Sequence, residues 1–399
     1  MEDILIIGGG FAGVWSAAAA ARMRAGNDAD LSITLVAPGD DLVIRPRLYE
    51  PDPHLMRVPL DRVLGPIGVH RVAATVSTID TAHRAVTTVD ASGRRTESRY
   101  RRLILAAGSR LRPADLPGAE HLHSVDTMEA AIALDEHLRA CPPGPGRWTV
   151  VVVGAGFTGL EVATEMVGRL AEMSDRADRP RVVLVERANT VGPDLGPNPR
   201  PAIAEALDRL GVEVRLGQSI ATVEPGTVRF TDGTQVAAGT VVWTAGVQAG
   251  PLTAQIPGRR DRLERLRVDE HLRVPEAPEV FAAGDTAAAD AEPGHLVLQS
   301  CQHAIPLGKY AGHNTAADLL GLPLAAFSPA PYATCVDLGA AGAVLTSGWD
   351  RVIRSTGEEA KARKTATNQQ RIYPPLDDAE EILRVADFRV GVRPAGARI

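Results

Sequence analysis

The chain has 399 residues, 45% of them hydrophobic and 23% charged, with a formal net charge of -6. That is enough apolar sequence for a large interior in two or three domains, and interspersed charges of both signs leave no basic face for nucleic acid. No stretch approaches the roughly 18 uninterrupted apolar residues of a membrane-spanning helix, and Cys141, Cys301 and Cys335 are too scattered for a disulfide framework, which suits a reducing cytoplasm.

Few aromatics, 4%, beside 38 Gly and 29 Pro fit α/β layers built on Val, Leu and Ala and joined by many turns. The apolar run Ile4 to Ile7 reads as a buried strand, and with the acidic Met1-Glu2-Asp3 before it and glycines behind it, not as a signal peptide. It leads into Gly8-Gly9-Gly10-Phe11-Ala12-Gly13 and an Ala-rich helix through Ala17 to Ala21. Ile33 to Val36 is the next strand, closed by the turn Pro38-Gly39-Asp40-Asp41. Leu103 to Leu105 is a later one, ending in Ala106-Ala107-Gly108-Ser109. Cys141-Pro142-Pro143-Gly144-Pro145-Gly146 reads as a surface connection, since adjacent prolines remove helix donors.

A second strand, Val150 to Val153, then runs into Gly154-Ala155-Gly156-Phe157-Thr158-Gly159 and a helix through Val162 to Leu170. In each glycine run the first Gly permits the tight turn out of the strand and the second lets backbone approach a pyrophosphate. The third lets the helix pack close to the sheet, so that phosphate sits at a helix N-terminus. Two runs imply two dinucleotides. Val182 to Val185 continues the second half and ends at Glu186, an acid placed to accept hydrogen bonds from ribose hydroxyls and to repel a 2′-phosphate, which favours NADH over NADPH, although Arg187 adjoins it. The corresponding place in the first half is Ala37, for which Asp40 or Asp41 could substitute. Val241 to Trp243 ends in Thr244-Ala245-Gly246, and Val280 to Ala283 in Gly284-Asp285. After Pro329 come short strands, Tyr332 to Leu338 and Ala343 to Thr346, the charged stretch Glu358 to Lys364, and Pro374-Pro375.

These motifs, in this order, resemble the type II NADH dehydrogenases, the non-pumping NADH:quinone oxidoreductases among the FAD-dependent pyridine nucleotide oxidoreductases. The resemblance implies two Rossmann-like domains, the NAD(P)H domain (116–249) inserted in the FAD domain (1–115 and 250–328), and a small C-terminal α+β domain (329–399). It assigns FAD to Gly8, Gly10, Phe11, Ala12, Gly13, Arg45, Ala107, Gly108, Gly284 and Asp285, with the Asp285 carboxylate on the ribityl chain. It assigns NADH to Gly154, Gly156, Phe157, Thr158, Gly159, Glu186, Ala245 and Gly246. The segment Arg45-Pro46-Arg47-Leu48-Tyr49 resembles the one these flavoproteins run beside the isoalloxazine.

Glu161 stands where the family places a glutamate facing nicotinamide and flavin; the plainer reading is a first-turn acid favoured by the helix dipole. The family's acceptor stretch, Ala-Gln-x-Ala-x-Gln, aligns with Cys301-Gln302-His303-Ala304-Ile305-Pro306, so Gln302 is retained and the second Gln is Pro306, which a first helical turn tolerates. Glu161 and Gln302 are the candidate catalytic residues. Cys301, beside the flavin, is a small buried hydrophobe or a redox thiol of the kind found in sulfide:quinone oxidoreductases. His295, His303 and His313 have no metal-binding spacing, and no metal is expected. Lys361 and Lys364 read as a solvated face, with a role beside the flavin left open and unassigned, and the charged tail lacks the wide apolar face of a membrane-surface helix.

The implied activity is hydride transfer from NADH to FAD, then two electrons to a small acceptor such as a quinone, in a cytoplasmic enzyme for which a homodimer is one admissible assembly. Two alternatives stay open: a reductase of a biosynthetic intermediate or a ferredoxin-like protein, and a flavin-containing redox sensor.

Overall fold

A computed structural model describes residues 1–175 and 179–391. Its largest sheet places the strands Ala277–Ala282, Arg95–Leu105, Glu2–Ile7, Ile33–Ala37 and His70–Ala73 side by side and parallel. The last strand to join, Ala277–Ala282, comes from beyond a second sheet, so the chain leaves the first layer and returns to it. That second sheet is a parallel set ordered Glu213–Leu216, Arg181–Glu186, Thr149–Val153, Thr240–Trp243. Thr149–Val153 is buried at every position, which is why its sequence is continuously apolar: a parallel strand covered on both faces has no wet side on which to alternate. One face is covered by the helix Phe157–Met173, the other by the antiparallel strands Ile220–Glu224, Thr227–Phe230 and Gln235–Ala237.

Between the two sheets the chain crosses twice, and the crossings pair as a short antiparallel ribbon, Ser109–Leu111 with Val247–Ala249. Gly250 N–H donates to Gly108 O at 3.0 Å and Arg112 N–H to Gly246 O at 3.0 Å, extending the ribbon at both ends. A third unit follows: the antiparallel strands Ala333–Asp337, Ala343–Ser347 and Val352–Thr356, the helix Gly357–Ala366, the π-helical turn Thr367–Arg371 and the helix Ala379–Val385.

The first glycine helix, Phe11–Gly26, packs along the helix Cys301–Leu320 with backbone against backbone. A Cβ on Gly308 would meet the Ala12 carbonyl oxygen at 2.4 Å, and one on Gly312 the Ser16 carbonyl oxygen at 2.0 Å. Residues four apart share one helix face, so Gly308 and Gly312 form a groove along which Ala12 and Ser16 lie. The helix begins at Cys301, which places Pro306 inside it, in the second turn and not the first as the sequence reading had it. A proline there has no N–H for the Gln302 carbonyl, one turn earlier.

Gly312→Ala should therefore destabilise the fold by overpacking, by about 1–3 kcal/mol. The measurement is the thermal midpoint, expected to fall by about 2–4 °C per kcal/mol. An unchanged midpoint would mean that the two helices do not touch through backbone.

Candidate cofactor and redox site

Both glycine loops have the same internal geometry. Gly8 and Gly154 take φ of +117° and +103°, and a Cβ on Gly13 or Gly159 would lie 1.8 or 1.7 Å from the carbonyl oxygen of Gly8 or Gly154. The middle glycines, Gly10 and Gly156, have no atom within 4 Å of where a Cβ would stand. Each caps its helix without a side-chain hydrogen bond. The first-turn amides of Phe11, Ala12 and of Phe157, Thr158 thus lie at open, positively polarised helix ends, the arrangement that receives a pyrophosphate.

In the second half, Glu186 accepts from Ala155 N–H and from Ala188 N–H, each at 2.8 Å. The carboxylate is fixed against the glycine loop, with lone pairs left for two ribose hydroxyls. Ala245 and Gly246 follow the neighbouring strand, where Thr244 Oγ1 donates to Val153 O at 2.8 Å. In the first half the strand end is Ala37, buried, and a Cβ on Gly9 would meet the Ala37 Cβ at 2.9 Å and Leu60 Cδ1 at 3.1 Å. Asp40 and Asp41 are held elsewhere, by Arg71 at 2.8 Å and Arg57 at 3.3 Å.

Gly284, with φ of +68°, sets Asp285 beside the first glycine helix, where a Cβ on Gly284 would meet the Ala12 Cβ at 2.7 Å. Asp285 Oδ2 accepts from Ser109 Oγ at 2.6 Å and lies 3.6 Å from Arg45 Nη1. Burial pushes its carboxyl up despite these partners. Arg45 also donates to Ser109 Oγ at 2.8 Å and pairs with Asp126, whose other oxygen accepts from Leu111 N–H at 2.9 Å. Ala107 and Gly108 immediately precede Ser109 at the crossing. Arg45, Asp126 and Asp285 thus meet where the first sheet ends and the ribbon begins. Asp126 was not foreseen; nothing in its local sequence distinguishes it from a helix-start acid.

Glu161 lies in the first turns of the second glycine helix and is 4% exposed. Lys364 Nζ is 2.7 Å from its Oε1, and Asp337 N–H donates to the same oxygen at 3.1 Å. Burial pushes the Glu161 carboxyl up to about 7 in spite of the lysine. Burial also works against the charge on Lys364, but the Glu161 carboxylate outweighs it and holds the ammonium above its ordinary range. The Phe157 ring faces the ammonium at 5.4 Å. The expectation of a solvated face is therefore corrected for Lys364, whereas the side chain of Lys361 stays 35% exposed. Lys364 is 6% exposed, and Lys361 Nζ bonds Asp337 Oδ1 at 2.5 Å. The spacing of three puts both lysines on one side of the helix Gly357–Ala366, which turns that side inward against the second glycine helix and the strand Ala333–Asp337.

Cys301 and Cys335 both feel the Lys364 charge, yet burial pushes both thiols up, Cys335 to about 11. Burial thus disfavours the thiolate, the reactive form of a cysteine, at both positions. Gln302, in the amide orientation that satisfies both its ends, donates to Ala333 O and accepts from Ala333 N–H at 3.1 Å. The structure thus joins Gln302 to the edge of the C-terminal sheet, and ties Glu161 to the same strand through Asp337. Among the described residues no helix is long and apolar enough to cross a membrane.

Residues 2–308 match the pyridine nucleotide-disulphide oxidoreductase family, and the chain belongs to it. It is 46% identical over 407 aligned residues to an NADH dehydrogenase-like protein of Mycobacterium tuberculosis, covering 99% of this chain and 100% of that one. It is 29% identical over 364 residues to a type II NADH:quinone oxidoreductase of the same organism, covering 82% and 75%. In fold it is similar to NDH2 of Plasmodium falciparum, with a TM-score of 0.77 at 13% identity over 96% of this chain and 97% of that one.

Lys364→Met should leave Glu161 buried without its counter-charge, a change of about 3–5 kcal/mol in general. The variant restores neutrality by keeping Glu161 protonated, so its carboxyl should titrate above the value of about 7 in the parent. The folded value lies above the 4.5 of a free glutamate, so the folded state binds more protons than the unfolded, and stability falls as pH rises through the folded value. Thermal midpoints measured across neutral pH should drop more steeply with rising pH in the variant than in the parent; parallel curves would remove the pair from the core's energetics.

Proposed function

We propose that this protein is an NADH:quinone oxidoreductase in which FAD and NADH occupy the first and second glycine loops. The observation that carries the reading is the pairing of two open, uncapped glycine loops with one buried carboxylate, Glu161, at the start of the second glycine helix. Bound FAD supplies the redox chemistry, taking a hydride from the nicotinamide and passing two electrons to the acceptor. The chain's own work is placement. Gly10 and Gly156 leave room for the pyrophosphates, and the helix amides behind them hold the negative charge. Asp285, kept in place by Ser109 and Arg45, is the group for the ribityl hydroxyls. Glu186 receives the adenosine ribose of NADH and disfavours the 2′-phosphate of NADPH.

The absence of an acid at Ala37 leaves the FAD adenosine without the contact that Glu186 provides to NADH. Phosphate and ribityl contacts then supply most of the hold on FAD. Glu161 and Lys364 would form a titratable pair beside the rings of bound FAD and NADH and could hold a proton there.

Stopped-flow spectroscopy tests donor and acceptor separately. NADH should bleach the oxidised flavin at least tenfold faster than NADPH at equal concentration. Reoxidation by a soluble naphthoquinone should then sustain many turnovers. Glu186→Ala should raise the KM for NADH about tenfold or more, since a hydrogen bond to a charged group is worth roughly 1.5–3 kcal/mol. Equal rates with both nucleotides would overturn the donor assignment. Turnover with an iron–sulfur protein but with no quinone would overturn the acceptor.

Replacement of Glu161 by Gln should slow quinone reduction more than flavin reduction. In the parent, quinone reduction should decline as pH rises through about 7, where the carboxyl loses its proton, and the Gln variant should be flat in that range. A decline of the same shape in both proteins would exclude Glu161 as the titrating group.

A further inference from the structure

Ala155, between the first two glycines of the second loop, is bonded through both its N–H and its carbonyl. The N–H donates to Glu186 at 2.8 Å, and the carbonyl accepts from Gly192 N–H at 2.9 Å. The second glycine loop therefore takes its position from the segment that leaves the strand end at Glu186 and bends back through Gly192 to Asn198. Leu195 N–H closes that bend onto Gly192 O at 2.9 Å, and the Leu195 side chain is buried.

The outer side of the bend rests on the C-terminal unit. Asn198 Nδ2 donates to Asp350 O at 2.6 Å, and Arg351 Nη2 reaches Asp194 O at 3.5 Å. A Cβ on Gly196 would meet Arg351 Cγ at 3.6 Å, so the arginine stem lies directly against the bend. Asp350 and Arg351 belong to the turn between the strands Ala343–Ser347 and Val352–Thr356.

Arg351 is 6% exposed although it lies in a turn. Its Nη1 donates to Thr334 Oγ1 at 3.1 Å, and its guanidinium lies over the Tyr332 ring at 4.5 Å. Tyr332 stacks in turn on Trp349 at 4.6 Å and on His303 at 5.2 Å. The guanidinium is thus anchored to the C-terminal sheet on one side and touches the bend on the other. The Arg351 backbone has φ of +56°, a left-handed conformation that strains any residue with a Cβ and that glycine adopts freely. The turn itself does not call for a side chain at this position. The side chain is what joins the sheet to the bend.

We propose that Arg351, together with the Asp350 carbonyl, is a positioning residue for NADH. It holds the bend from Gly192 to Asn198 and, through the Gly192–Ala155 hydrogen bond, the shape of the glycine loop that receives the pyrophosphate. Arg351 acts through that loop and not on the reacting atoms. NADH affinity then depends on the C-terminal turn, whereas hydride transfer from nucleotide already seated does not. The inference rests on the reading of the second loop as the NADH site.

The test uses the FAD-loaded full-length enzyme and two variants. Arg351→Gly removes the side chain and suits the left-handed backbone, and Asn198→Ala leaves Arg351 its other partners. Stopped-flow reduction separates the Kd of NADH from the limiting rate of flavin reduction. In each variant the Kd should rise about fivefold, the worth of an ordinary hydrogen bond, while the limiting rate stays within about twofold of the parent. Without nucleotide, the amides of Gly192, Leu195 and Gly196 should exchange with deuterated water about tenfold faster in both variants. A purely structural role would lower the thermal midpoint and leave the Kd as in the parent. A parental Kd in both variants would overturn the assignment, whatever becomes of the midpoint. Should NADH fail to reduce the flavin of the parent, the donor reading falls, and the amide exchange still decides whether Arg351 holds the bend.

Discussion

A carboxylate taken out of water needs a counter-charge, and at Glu161 this requirement organises the molecule. The acid belongs to the second glycine helix, whereas its counter-charge, Lys364, belongs to a helix of the C-terminal unit. The same acid takes a backbone N–H from the strand Ala333–Asp337. Removing the C-terminal unit would strip away both partners. The unit therefore does more than cover one side: it completes the electrostatics of the site and brings Lys361, Asp337 and Gln302 to it. Burial sets the acidity as well, since the same desolvation that demands Lys364 raises Glu161 into the neutral range.

Backbone contact does the corresponding work in the first half. Ala12 is touched by the chain at two distant places, at Gly284 and at Gly308. Through them the returning strand, the carboxylate of Asp285 and the N-terminus of the helix Cys301–Leu320 are drawn to the same end of the sheet as the first glycine loop. The ribbon at Ser109–Leu111 and Val247–Ala249 then joins the two sheets, and Arg45, Ser109, Asp126 and Asp285 cross-link its base.

The residues legible in the sequence are those whose role is local. Gly8, Gly13, Gly154 and Gly159 are demanded by a turn and a close approach within six residues, and Glu186 by its place at the end of the next strand. The residues that escaped reading are those whose role is made by distant partners. Lys364 sits in a segment charged at nearly every position, where periodicity offers no sign of an inward face. Tyr49 and Asp337 meet across most of the chain, and Asp126 is recognised only through Arg45. Pro306 was misplaced by one turn; its helix starts after Ser300, whose side chain makes no capping hydrogen bond.

Sequence alone determined that this chain forms two parallel, dinucleotide-binding layers, one inserted in the other, because glycine spacing and unbroken apolar strands are properties of adjacent residues and need no tertiary partner to be read. It also singled out Glu186 and Asp285 as candidate cofactor residues. The folded chain alone decided that Glu161 is buried, that Lys364 and not a solvent ion neutralises it, that Gln302 engages the C-terminal strand, and that Arg351 reaches the bend beside the second glycine loop. Burial and proximity between remote segments are created only when the layers close. The acidity and pairing of these groups follow from that desolvation, and local composition does not encode it.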